Sequence, residues 1–257
     1  MDYIQINPDN VAPSAPRPRI RKVAAYLLYR QLISGGGGIV TDDLVLRSNF
    51  NDMANLSLTF PSNGSAEFNG TSDYIQLNDP FSHTNHTIAA WIYVEPSASD
   101  KFIFDARDIG TDGIILYSRA DEYLKYEVNS SALTSSAIYT NEWVYLVGTY
   151  DGTTQKMYIN GSVDSSASAS TTISNTINAR IGARSHTGLA YYMDGNLANV
   201  AIWNRALTSD EINTAMWASY DQLPTSIKVG LQAWYALDNI TGTDVPDSTG
   251  NYNGTAY

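Results

Sequence analysis

Residues 142–161 read EWVYLVGTYDGTTQKMYING, and this stretch decides the fold class. β-Branched and aromatic residues alternate on either side of Asp151-Gly152, a dipeptide suited to a tight turn. The spacing therefore predicts a hairpin of two strands, Trp143–Tyr150 and Gln155–Asn160. In the first strand Trp143, Tyr145, Val147 and Thr149 share one face, and Val144, Leu146, Gly148 and Tyr150 share the other. Both faces are largely apolar, as expected of a central strand covered on both sides.

Working outward, the same pattern recurs at Ser65–Phe68, Asp73–Leu77, Thr87–Val94, Lys101–Arg107, Gly113–Arg119, Glu122–Asn129, Asn178–Gly182, Asn196–Trp203 and Leu231–Leu237. Eleven strands imply two sheets, so the fold class is all-β, an antiparallel two-sheet sandwich. Further turn dipeptides are Asn63-Gly64, Asn69-Gly70, Asp112-Gly113, Asn160-Gly161, Asp194-Gly195 and Asn253-Gly254. One helix is expected near residues 208–217. Thr208 and Glu211 form a capping-box pattern leading into Ile212, Ala215 and Met216 at helical spacing.

Composition narrows the chemistry. The 257 residues, 43% of them hydrophobic, suffice for a large buried core. With no cysteine, the chain has no disulfide framework, no thiolate nucleophile and no Cys-ligated metal. Only His83, His86 and His186 are available as imidazole ligands. A formal charge of −11 opposes sequence-independent binding to nucleic acid, which depends on neutralising phosphates.

The charge is uneven. Residues 1–43 carry a net +1, and the remainder −12. The arm opens with Pro8, Pro13, Pro16 and Pro18, which favour extended chain. KVAAYLLYRQLI follows at 22–33, rich in helix formers, and ends at Ser34 and the flexible joint Gly35–Gly38. The apolar run is broken by Arg30 and Gln31, which argues against a secretory signal and leaves it too short to span a bilayer. The arm reads as an anchor, with Arg17, Arg19, Arg21, Lys22, Tyr26, Leu27 and Leu28 as its contact residues, and residues 44–257 read as the domain it holds.

Five segments in order, FNGTSDYI from Phe68, TIAAWIYV from Thr87, EWVYLVGTYDG from Glu142, YING from Tyr158 and GNLANVAIWNRALT from Gly195, resemble the laminin-G-like domains of the concanavalin A-like jelly-roll superfamily. The order then breaks. GLQAWYALD from Gly230 and DSTGNYNGT from Asp247 resemble the family's opening strand and first turn, yet come last. This segment completes its own domain, is donated to a neighbouring copy, or begins a truncated second repeat.

Catalytic members of the superfamily hydrolyse glycans with carboxylates on alternate residues of one strand. The chain has no Glu-x-Asp-x-x-Glu, and Glu122 and Glu127, five apart, point to opposite faces of a regular strand. The expectation is that it is not an enzyme. The resemblance also implies calcium, held by Asp247, Asn253, Asp194, Asn196 and Asn199, unless these are ordinary turn formers; Ala198 and Asn199 replace an acidic pair, which lowers the expected affinity. Two loops are candidate glycan sites, one with Arg184, Ser185, His186, Tyr191 and Tyr192, the other with His83, Asn85 and His86. Trp91, Trp143 and Trp203 match framework positions and are expected in the core.

The resemblance, with the arm, implies a bacteriophage virion protein made in the host cytoplasm. It would be a capsid decoration or tail appendage docked on capsid or tail proteins as a homo-oligomer or arrayed copies, binding host-surface polysaccharide weakly and multivalently. A purely structural shell protein and a glycan hydrolase are the alternatives.

Overall fold

The computed structural model describes residues 64–108, 113–186 and 188–257. The anchoring arm with Arg17, Arg19, Arg21, Lys22, Tyr26, Leu27 and Leu28 lies outside them. The described residues form two antiparallel sheets. The first runs β1 (Ala66–Asn69), β12 (Asp194–Trp203), β3 (His86–Val94), β8 (Trp143–Tyr150), β9 (Thr154–Ile159) and β10 (Ser162–Ser168), with β13 (Leu231–Tyr235) also paired to β12. The second runs β14 (Asp244–Val245), β15 (Gly254–Ala256), β2 (Ile75–Gln76), β11 (Arg180–Ile181), β4 (Lys101–Arg107), β5 (Gly113–Ser118), β6 (Tyr123–Val128) and β7 (Ser131–Ile138).

Alternation builds the core between them. Ile88, Ala90, Ile92 and Val94 of β3 and Val144, Leu146 and Tyr150 of β8 share one apolar cluster with Phe104, Leu116 and Tyr126 of the second sheet. All eight residues of β8 are buried, as its two apolar faces require. A layer that follows β12, containing α1 (Ser209–Ala215) and α2 (Thr225–Lys228), packs on the outer side of β3 and β12. Thr208 caps α1 in a capping box with Glu211, whose carboxylate also takes two bonds from Arg205 at 2.9 and 2.8 Å. Two tryptophans pin the layer down. Trp91 Nε1 donates to Met216 O at 3.0 Å, and Trp203 Nε1 to Ile227 O at 2.8 Å. Trp91, Trp143 and Trp203 are all buried, so they are framework residues.

The C-terminal segment closes its own sandwich. β13 pairs with Val200–Trp203 of β12, while β1 pairs with Asp194–Leu197 on the same strand, so the two lie end to end along one edge. β15 pairs with β2 in the opposite sheet. Residues 231–256 thus supply strands to both layers.

Two expectations change. Asp194-Gly195 is not a turn; it opens β12, where Gly195 pairs with Phe68 on one side and Val94 on the other. Strands β7 and β10 were not anticipated, because SALTSSAI and SVDSSAS lack the β-branched alternation. Both are edge strands, which need no second apolar face. They are joined across the sheets by Asp164, which accepts from Ser136 N at 2.9 Å and Ser136 Oγ at 2.5 Å.

Candidate functional site

The loops that leave the C-terminal end of β3 and enter β12 meet at one end of the sandwich. Between them lies an open cleft of about 650 Å³, lined by Gly70, residues 97–101, Ala120, Arg184, residues 190–192 and Asp194. Three of the residues singled out in sequence, Arg184, Tyr191 and Tyr192, meet here. Asp194, expected as a calcium ligand, is a fourth.

Local chemistry holds each wall. Tyr191, at φ 55°, stacks on Phe102 with ring centroids 5.1 Å apart, and the Arg184 guanidinium lies 5.1 Å over its ring. Arg184 N donates to Ala190 O at 3.0 Å, closing the base of this loop. Asp100 Oδ1 accepts from Ala120 N at 2.8 Å, joining the 97–101 loop to the β5–β6 turn. Lys101 is nearly fully buried, donates its ε-amino group to Glu95 O, and lies 3.7 Å from Asp194. Burial pushes the Lys101 pKa down, opposed by the Asp194 carboxylate. Gly70, at φ 72°, bonds to Met193 O at 2.8 Å, and a Cβ there would stand 3.0 Å from Asp194, so its lack of a side chain lets the β1 end reach this wall.

The remaining members of the two candidate loops lie elsewhere. Ser185 is buried beneath the cleft, its amide donating to Asp105 Oδ2 at 2.9 Å and its hydroxyl to Arg107 O at 3.0 Å, which makes it a bolt for the loop. His186 is half-buried and outside the lining, and burial lowers its pKa. The loop of His83 and Asn85 sits at the other end of β3, roughly 26 Å away at about 3.3 Å per residue. His86 is not a surface residue but part of the core: its Nδ1 faces the carbonyls of His83 and Thr84, both at 3.0 Å, and its Nε2 lies 2.6 Å from Tyr126 Oη.

The proposed calcium set does not converge. Asp247 spends its carboxylate on the amides of Trp234, Thr249, Asn251 and Tyr252 at 2.8 to 3.1 Å, and Asn253 accepts from Asp247 N at 3.0 Å. Asn196 bonds Ser65 within the first sheet, and Asn199, at φ 47°, sits in the β12 bulge with its amide on Ala236 O. Among the described residues no three His, Cys, Asp or Glu side chains come close enough to hold a metal ion. These oxygens fit turn and bulge geometry rather than a calcium shell of six or more ligands.

Sequence reasoning missed Gly70, the 97–101 loop and Ala120 as cleft residues. Their proximity follows from strand register across both sheets, which no local pattern displays.

The family described as the Concanavalin A-like lectin/glucanases superfamily matches residues 69–213. No curated protein matches the chain. Among solved structures, a Bacteroides ovatus ATCC 8483 protein described as carbohydrate binding aligns with a TM-score of 0.62 and 21% identity over 75% of this chain and 57% of its own. The CBM40 domain of the Ruminococcus gnavus IT-sialidase, bound to α2,3-sialyllactose, aligns with a TM-score of 0.50 and 14% identity over 59% of this chain and 96% of its own. At these identities the likeness is one of fold. The chain thus spans little more than half the length of the Bacteroides protein.

Proposed function

Because the chain belongs to the concanavalin A-like lectin/glucanases superfamily, we propose that it is a non-enzymatic carbohydrate-binding module whose ligand enters the cleft beside Arg184 and Tyr192. The observation that carries this reading is the cleft itself, which brings Arg184 and two tyrosines together with Asp100, Asp194, Ser97 and Ser99. Sugars offer apolar CH faces and many hydroxyls, and such a wall presents aromatic surface together with donors and acceptors for them. Two solved structures of this fold described as carbohydrate binding support the same reading. Binding rather than hydrolysis is favoured because the two carboxylates that line the cleft are committed, Asp100 to an amide and Asp194 beside Lys101.

An open cleft of this kind suits weak single-site affinity, about −4 kcal/mol at a millimolar Kd, which arrayed copies raise 10²- to 10⁴-fold by avidity. The near-neutral arm, with its basic cluster and tetraglycine joint, extends the proposal to a tether. The domain is displayed on a larger particle, such as a phage capsid or tail, and meets host polysaccharide there.

The experiment is a glycan array probed with the multimerised full chain and with its Tyr192→Ala variant. Wild-type signal lost in the variant supports the reading, and an array silent to the wild type overturns it. Removing residues 1–43 should leave sugar binding intact and abolish incorporation into the particle; retained incorporation would overturn the tether.

A further inference from the structure

Beyond the cleft, the outer face of the second sheet carries an aromatic and arginine ladder. Tyr74, just before β2, and Tyr257, just after β15, bond to one another through their backbones at 3.3 and 2.9 Å. Their rings stack 4.9 Å apart and 5° from parallel. Arg180, on the neighbouring β11, lays its guanidinium 5.2 Å over the Tyr74 ring. Its Nε donates to Gln76 Oε1 at 2.8 Å and its Nη1 to Arg184 O at 2.6 Å, which ties it to the cleft wall and leaves Nη2 uncommitted. Although the chain is net acidic, Arg180 forms no ion pair among the described residues. Arg180, Tyr257 and Tyr192 act on the Tyr74 hydroxyl, which burial holds above its usual range, so the ladder lies beside a cleft residue.

We propose that Tyr257, Tyr74 and Arg180 form a second subsite continuous with the cleft, and that the ligand is an acidic oligosaccharide of three or more units whose carboxylate or sulfate ester meets Arg180. Tyr257 remains 56% exposed with one ring face against Tyr74, so its other face is open to a sugar. A ring already immobilised by stacking loses little freedom when a ligand lands on it. An uncommitted guanidinium N–H beside an aromatic face is a charge-assisted donor for an anionic oxygen. From β15 to β11 the ladder crosses two strand intervals, roughly 10 Å, so a ligand that lies along it and also reaches the cleft is longer than a disaccharide. The inference rests on the carbohydrate-binding reading of the cleft and adds the length and charge of the ligand.

The test uses the full chain, multimerised, on an array of neutral, uronate-containing and sulfated oligosaccharides of two to eight units. Wild type is expected to prefer acidic chains of four or more units, with the uronate and sulfate arms showing which anion is taken. Arg180→Gln should lower the ratio of acidic to neutral binding roughly tenfold. Tyr257→Ala should reduce long chains to the level of disaccharides. Thermal melting confirms that both variants are folded. If both bind every chain as wild type does while Tyr192→Ala abolishes binding, the second subsite is wrong and the cleft reading stands. If wild type binds no saccharide, both fall together.

Discussion

The ring of Tyr126, on β6 of one sheet, lies directly against the bare Cα of Gly148, on β8 of the other; a Cβ built on that glycine would stand 2.4 Å from the ring. The tyrosine crosses the core here, and its hydroxyl meets His86 on β3. Replacing Gly148 with alanine forces ring or strand to move. The expected cost is about 1–3 kcal/mol of overpacking, read as a lower urea midpoint with an unchanged m-value. An unaltered midpoint would mean that the two sheets are not in register as described.

Burial pushes the His86 pKa down to about 4, only partly opposed by the carbonyls of Thr84 and His83. Those carbonyls require an Nδ1–H, so Nε2 is the acceptor for the Tyr126 hydroxyl. Between pH 6.5 and 4 the unfolded chain binds the proton and the folded one does not. Stability is therefore full above pH 6.5 and declines as pH falls, by about 3 kcal/mol. Urea titrations at pH 4, 5, 6 and 7 should show this slope in wild type and its reduction in His86→Asn. Equal slopes would assign the acid sensitivity elsewhere.

Asp247 caps the turn that joins β14 to β15 with both carboxylate oxygens. Asp247→Ala strands the buried amide of Trp234 and three more accessible ones, and should cost about 3 kcal/mol. Because those oxygens are spent on N–H groups, chelation should leave the melting temperature unchanged. Differential scanning calorimetry in EDTA and in millimolar calcium checks this, and a calcium-dependent rise in Tm would restore a metal role to the turn.

Thr208→Ala removes the acceptor for Glu211 N and should destabilise the chain by about 1 kcal/mol. The loss should reach Trp91, whose indole is pinned to Met216 just beyond α1. Tryptophan fluorescence followed during denaturation distinguishes local loosening of this layer from uniform loss of stability.

The strands legible in sequence are those with apolar residues on one or both faces. β3, β4, β8 and β12 are committed to the core, and their alternation follows from that burial. β7 and β10 escaped because an edge strand is held by its ladder and by Ser136–Asp164 contacts rather than by apolar side chains. Their neighbouring turn, Asn129-Ser130, takes positive φ at both residues without a glycine to announce it. His86 shows the opposite failure. Polar neighbours make it look like a loop residue, yet register places it opposite Tyr150 in the ladder and turns its ring toward Tyr126. At the cleft, one loop of mixed aromatic and charged residues was readable, and the walls supplied by β1 and β3 were not.

The placement of β13 and β15 also governs the order of assembly. Residues 231–256 leave the ribosome after every strand they join, so until then β12 lacks half of one neighbour and β2 lacks its outer one. Closure of this domain therefore waits for the last of its own strands. The nascent chain carries two open β-edges, liable to pair with another chain, until residues 231–256 arrive.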